Sequence, residues 1–162
     1  MIDDFNVSEE LGGSDDLYKN MGDGELKPGR QAIYVDRYTL NKNNKSSSKY
    51  YGRPQLIINL LGCDDNVNNR GCEASIYFPV VTKQWAEEVP EMIRQGRFLK
   101  AFFTGLGIKD FKISELTRYL DDMRNMPFMA DIKNVKDGFA QLETLGFTDG
   151  AAASTGLTDL PF

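Results

Sequence analysis

The segment RYTLNKNNKSSSKYYGR, residues 37 to 53, gathers Arg37, Lys42, Lys45, Lys49 and Arg53 around Tyr38, Tyr50 and Tyr51 and contains no acid, in a chain whose formal net charge is −5. Cations at this density can neutralise successive phosphates and release their counterions, so binding of that kind weakens steeply as salt rises. Phenol rings among them can stack on nucleobases, each productive stack being worth roughly 1–3 kcal/mol whatever the base. Arg30, Tyr34 and Tyr77 lie on the adjoining segments and extend the same two residue types. The bland alternative is a loop kept soluble by lysine and serine, with tyrosines that merely pack well on strands. Rings and cations fall together on one predicted face while acids gather elsewhere, which favours contact with a nucleic acid.

The distribution of charge carries the same argument further. Residues 1–29 hold eight acids and two bases, whereas residues 30–62 hold six bases and one acid. An acidic arm beside a basic segment suits a domain that meets a polyanion when the arm moves aside. The chain has no histidine, which removes the commonest general base and the Ser-His and Cys-His nucleophile pairs. Binding without catalysis is therefore expected. Cys63 and Cys72 cannot complete a four-ligand zinc site from nitrogen and sulfur donors without histidine, and reduced thiols are expected. The acid pairs Asp3-Asp4, Asp15-Asp16, Asp64-Asp65, Glu87-Glu88 and Asp121-Asp122 read as solvated charge, not as the two-metal centre of a nuclease. The glycines of TGLGIKDF (104–111) follow a helical pattern instead of preceding one, so they read as helix stops and not as a phosphate loop. No metal or cofactor is expected. No run of about 18 apolar residues is present, and Met1-Ile2-Asp3-Asp4 lacks the parts of a signal peptide. A soluble cytoplasmic protein is the expectation.

The elements that must position the loop follow from periodicity. Residues 30–40 alternate Ile33 and Val35 against Ala32, Tyr34 and Tyr38, a period of two that predicts a strand. Residues 53–62 put Leu56, Ile58 and Leu60 on one face and Arg53, Gln55, Ile57 and Asn59 on the other; residues 72–81 put Ala74, Ile76, Phe78 and Val80 opposite Ser75 and Tyr77. The connections, polar residues 41–52 and the Asp-Asn-Gly stretch 64–71, predict an antiparallel meander. From Thr82, the expected N-cap, the period becomes helical through Trp85, Val89, Met92, Ile93, Leu99, Phe103 and Leu106, with Pro90 and Gly96 as expected weak points. Trp85, Phe98, Phe102 and Phe103 share that stripe and are expected in the core. Ser114 is expected to cap a second short helix bearing Leu116, Tyr119, Leu120 and Met123. Residues 127–135 and 138–147 predict a hairpin closed by Asp137-Gly138.

Three strands, helices, then a hairpin is the chain order of a five-stranded OB-fold antiparallel barrel, a mainly β architecture with helices between strands 3 and 4. Residues 1–29 then form an acidic flexible arm, 30–147 the binding domain and 148–162 a tail. In such a barrel the loop joining the first two strands lies at the mouth of the binding groove. The final TDLPF (158–162) is similar to the Asp-Asp-Ile-Pro-Phe tip of bacterial and many phage single-stranded DNA-binding proteins, with one Asp where two or three are usual. The body also resembles the small phage members of that group, through KPGRQAIYV, GRPQLIINLLG and NVKDGFAQLETL. The resemblance implies coating of unwound DNA in phage replication, recombination or repair, in the host cytoplasm. It implies that Asp159, Leu160, Pro161 and Phe162 dock partner proteins, the Phe filling an apolar pocket and the carboxylates meeting a basic rim. A homo-oligomer is compatible with this reading. The competing expectation is a barrel that serves only as a protein-interaction scaffold.

Overall fold

The computed structural model describes residues 6–20, 24–63, 71–124 and 126–148. The loop expected over 64–71, apart from Gly71, and the tail with its tip lie outside the described residues, as do residues 1–5, 21–23 and 125. Five strands, β1 (Gly29–Lys42), β2 (Pro54–Gly62), β3 (Glu73–Pro79), β4 (Phe128–Lys136) and β5 (Phe139–Phe147), carry most of the fold. They close into a barrel in the order β1-β2-β3-β5-β4. Two short exposed helices, α1 (Val7–Leu11) and α2 (Asp15–Asn20), precede the barrel; α3 (Lys83–Glu88), α4 (Ile93–Gly105) and α5 (Leu116–Met123) stand between β3 and β4.

The alternating apolar residues of β1–β4 point inward: Ile33 and Val35, Leu56, Ile58 and Leu60, Ala74, Ile76 and Phe78, and Phe128, Ala130 and Ile132 are all buried. In β1–β3 sequence alternation located this face because successive strand side chains leave opposite sides of the backbone. The β4–β5 connection is the expected two-residue turn. Asp137 and Gly138 take φ of 54° and 81°, the doubly left-handed turn whose twist matches that of the flanking strands.

Helices α4 and α5 pack onto the barrel, α4 against β3 and β5 and α5 against β1. Phe102 lies 5.7 Å from Phe78 and 5.9 Å from Phe128, and Phe103 stacks on Phe111 at 5.2 Å. The predicted α5 stripe, Leu116, Tyr119, Leu120 and Met123, is wholly buried. Thr82 does cap α3, its side chain accepting from Trp85 N. Pro90 does break the helical stretch, since it opens a 3-10 turn at Pro90–Met92 before α4 starts. Pro is tolerated there because a first-turn N–H has no intrahelical partner to lose.

Three expectations need correction. One pairing is parallel: β3 meets β5 at Ser75 and Phe139, so the barrel is not antiparallel throughout. Ser114 does not cap α5; it lies inside the 3-10 turn Ile113–Glu115, and α5 starts without a side-chain cap. The folded body also begins ahead of residue 30. Leu26 is fully buried, and its N–H donates to Glu73 O while Glu73 N–H donates to Gly24 O. Among the described residues, no helix is long and apolar enough to cross a membrane.

Candidate nucleic-acid interface

The outer face of β1–β3 is built in rows across the sheet. Tyr34, Leu61 and Glu73 form one, Arg37, Asn59 and Ser75 the next, then Thr39, Ile57 and Tyr77. A fourth row, Asn41, Gln55 and Pro79, leads to the loop between β1 and β2. That loop is folded on itself: Asn43 N–H donates to Arg53 O, Gly52 N–H to Asn43 O, and Lys45 N–H to Asn43 Oδ1. The Ser48 hydroxyl accepts from Tyr50 N and from Asn43 Nδ2. Asn and Ser serve here because their short side chains bond to nearby backbone and replace ladder bonds lost where the strands part. A loop held this way presents its side chains in a defined arrangement.

Helix α3 supports the loop from behind. The Tyr50 ring packs edge-on against Trp85 at 5.5 Å, and the Arg53 guanidinium lies over the same indole at 5.4 Å. Arg53 also donates to Glu88. That bond, joined by one from Gln84, holds the Glu88 carboxyl below its ordinary value, so the contact persists at neutral pH. On the solvent side the Lys49 ammonium stands 5.1 Å from the Tyr50 ring centre, Tyr51 is 60% exposed, and Lys42 and Lys45 are exposed. Tyr77 is half-buried and hydrogen-bonded to Asn43; burial is the main reason its phenol lies above the usual range.

The fold therefore brings together Lys42, Lys45, Lys49, Tyr50, Tyr51 and Tyr77, with exposed Arg37 in the neighbouring row. Arg53 joins them as a structural cation already engaged by Glu88. Tyr34 lies at the other end of the face, in the row that ends with Glu73. Arg30 is not brought to the loop. It pairs in register with Asp131, twelve positions before Lys42 along a strand that rises about 3.3 Å per residue.

Tyr38 is the clearest correction. The β1–β2 register slips between Val35 and Arg37, a bulge that turns every following side chain to the other face. Tyr38 thus lies opposite buried Ile58 and packs against the core. Its hydroxyl donates to Asp121 Oδ1 at 2.7 Å, which, with burial second, raises the phenol above its ordinary value. Arg124 Nε donates to the Asp36 carbonyl and ties the end of α5 to the bulge. The signal was present in the sequence: inward residues run Ile33, Val35, then Tyr38, a spacing of three that breaks the alternation. Tyr38→Phe is expected to lower stability by at most about 1 kcal/mol and leave affinity for oligo-dT unchanged, as chemical denaturation and titration would show; a fall in affinity would return Tyr38 to the interface.

The aromatic residues expected in the core divide three ways. Phe102 and Phe103 are core; Trp85 is buried, but against the loop and apart from the barrel core; Phe98 is 54% exposed. Trp85 was hidden from sequence reasoning because only the tertiary approach of the loop shows what covers it. Two open clefts adjoin the face. One of about 510 Å³ lies beside the β4–β5 turn and includes Asn59, Ser75, Glu25, Glu73 and Asp137. The other, of about 500 Å³, lies between β3, β5 and α4. Among the described residues no group of three or more His, Cys, Asp or Glu could hold a metal ion. No family model, no characterised protein and no solved structure matches the chain.

Proposed function

We propose that this chain is a sequence-tolerant single-stranded DNA-binding protein. The barrel order β1-β2-β3-β5-β4, with its parallel β3–β5 closure and helices between β3 and β4, supports an OB-fold. The observation that carries the functional reading is the convergence of Lys42, Lys45 and Lys49 with Tyr50, Tyr51 and Tyr77 around one ordered loop. Lysines spaced along a loop engage phosphates as point charges, and phenol faces accept any base, so the arrangement suits a flexible polyanion of arbitrary sequence. The protein does no chemistry on its ligand and works in the cytoplasm. Asp159, Leu160, Pro161 and Phe162 recruit replication or recombination proteins, a part of the reading that rests on the sequence of the tip.

The test is a titration with oligo-dT at two salt concentrations, following tyrosine and Trp85 emission. Because Trp85 touches both Tyr50 and Arg53, binding at the loop is expected to change its emission saturably and to weaken steeply with salt. Absence of any saturable signal would end the proposal. Magnesium-dependent loss of the DNA itself would replace binding with nuclease activity.

A further inference from the structure

We infer that the bound strand continues from the loop across Tyr77 onto α4, where Phe98 stacks on a base and Arg94 and Arg97 meet phosphates; this extension rests on the nucleic-acid reading above. Strands β3 and β5 meet at a single residue pair and then diverge, and α4 packs against both. The divergence leaves the open cleft of about 500 Å³, whose lining includes Tyr77, Phe78, Gln95, Phe98, Phe102 and Leu142. A lone exposed apolar side chain needs no explanation. Phe98 differs because it borders a cleft that Tyr77 also lines, and because Tyr77 is tied by Asn43 to the root of the basic loop. The two platforms thus belong to one continuous surface.

Charge selects the occupant. Helix α4 carries Arg94, Arg97 and Lys100 and no acid; all three cations are exposed, and none forms an ion pair with a described residue. Arg94 stands one turn before Phe98 on the same side of the helix. Acids do occur at the margins: Glu143 lines the cleft and shares Lys133, at 3.9 Å, with Asp131 at 2.8 Å, and Glu91 precedes α4. The exposed α4 surface around Phe98 nevertheless pairs an aromatic face with guanidinium groups that form no ion pair with a described residue, the combination that holds single strands in positively charged grooves. An apolar peptide would use the cleft but leave the arginines unused.

The experiment compares full-length wild type with Phe98→Ala, Phe98→Trp and Arg94→Gln/Arg97→Gln, using oligo-dT of about 4 and about 16 nucleotides, the range one such barrel occludes. Phe98→Ala is expected to weaken binding of the longer oligomer roughly 5- to 150-fold, the equivalent of one lost stack, and to leave the shorter one unaffected. Phe98→Trp is expected to retain affinity. The double arginine variant is expected to lower the salt slope for the longer oligomer by about 1.4, at roughly 0.7 per phosphate on a single strand. Wild-type affinity of Phe98→Ala for both lengths would overturn the extension while leaving loop binding intact. A change in self-association without a change in DNA affinity would overturn it in favour of a protein contact. Failure of the wild type to bind either oligomer would remove the underlying function as well, so the two failures are distinguishable.

Discussion

Replacing Lys42, Lys45 and Lys49 together with glutamate is expected to weaken oligo-dT binding by at least about 100-fold at low salt and to flatten its salt dependence by roughly 2 in log–log slope. The slope change follows from three lost phosphate contacts, and the affinity falls further because the new carboxylates repel the backbone. All three side chains are exposed. The bonds that shape the loop use backbone groups and the side chains of Asn43 and Ser48, Lys45 taking part only through its backbone N–H and carbonyl, so folding is expected to be unchanged. Circular dichroism and thermal melting check the fold, and the titration checks the affinity. Wild-type affinity in a folded triple variant would dismantle the loop interface. It would favour a barrel that serves as a protein scaffold.

The largest expected effect on stability lies away from that face, where α4 crosses β5. A Cβ built on Gly105 would lie 2.0 Å from Thr144 Oγ1 and 2.6 Å from the Thr144 carbonyl oxygen. Thr144 is buried, and its hydroxyl donates to the Phe102 carbonyl at 2.7 Å, so helix and strand are joined at their closest approach. Gly105→Ala is expected to destabilise the protein by about 3 kcal/mol through overpacking and loss of that bond. For a chain of this size the shift in Tm is roughly 6–12 °C. Thr144→Ala alone removes the hydrogen bond and the buried Cγ2 methyl and is expected to cost about 1–2 kcal/mol. Combining the two substitutions is expected to recover little, because the carbonyl oxygen at 2.6 Å belongs to the backbone. Full rescue by Thr144→Ala would show that the side chain alone sets the limit. Calorimetry on the three variants decides between these outcomes.

How far the fold was legible depended on whether a local period carried the information. The inward faces of β2 and β3, the Asp137-Gly138 turn, the Thr82 cap and the α5 stripe all follow from spacing within a dozen residues. The backbone geometry of a strand, a tight turn or a helix end is set by neighbours in the chain. Alternation carried past Val35 without a break missed the single inserted residue that changes phase. The bulge at Asp36 moved Tyr38 from the outer face to α5, and a slip of one position reverses every side chain beyond it. The candidate site shows the same division. The cations of the loop and the tyrosines at 50, 51 and 77 were identifiable by residue type, whereas the separation of Arg30 from them was not, since distance along a long strand matters only once its partners are known.

By itself the sequence determined the residue types: an acid-free basic and aromatic segment, three apolar alternations and a closing hairpin, a helical stretch broken at Pro90, and no histidine for catalysis. Only the tertiary structure decided which of those residues share a surface. Trp85 became the support of the loop because Tyr50 and Arg53 close over it, Arg53 became engaged because Glu88 reaches it, and Phe98 became exposed because β3 and β5 part beneath α4. Each of these features depends on residues distant in the chain. The free energy that selects them comes from burying the whole core at once, which no short window of sequence contains.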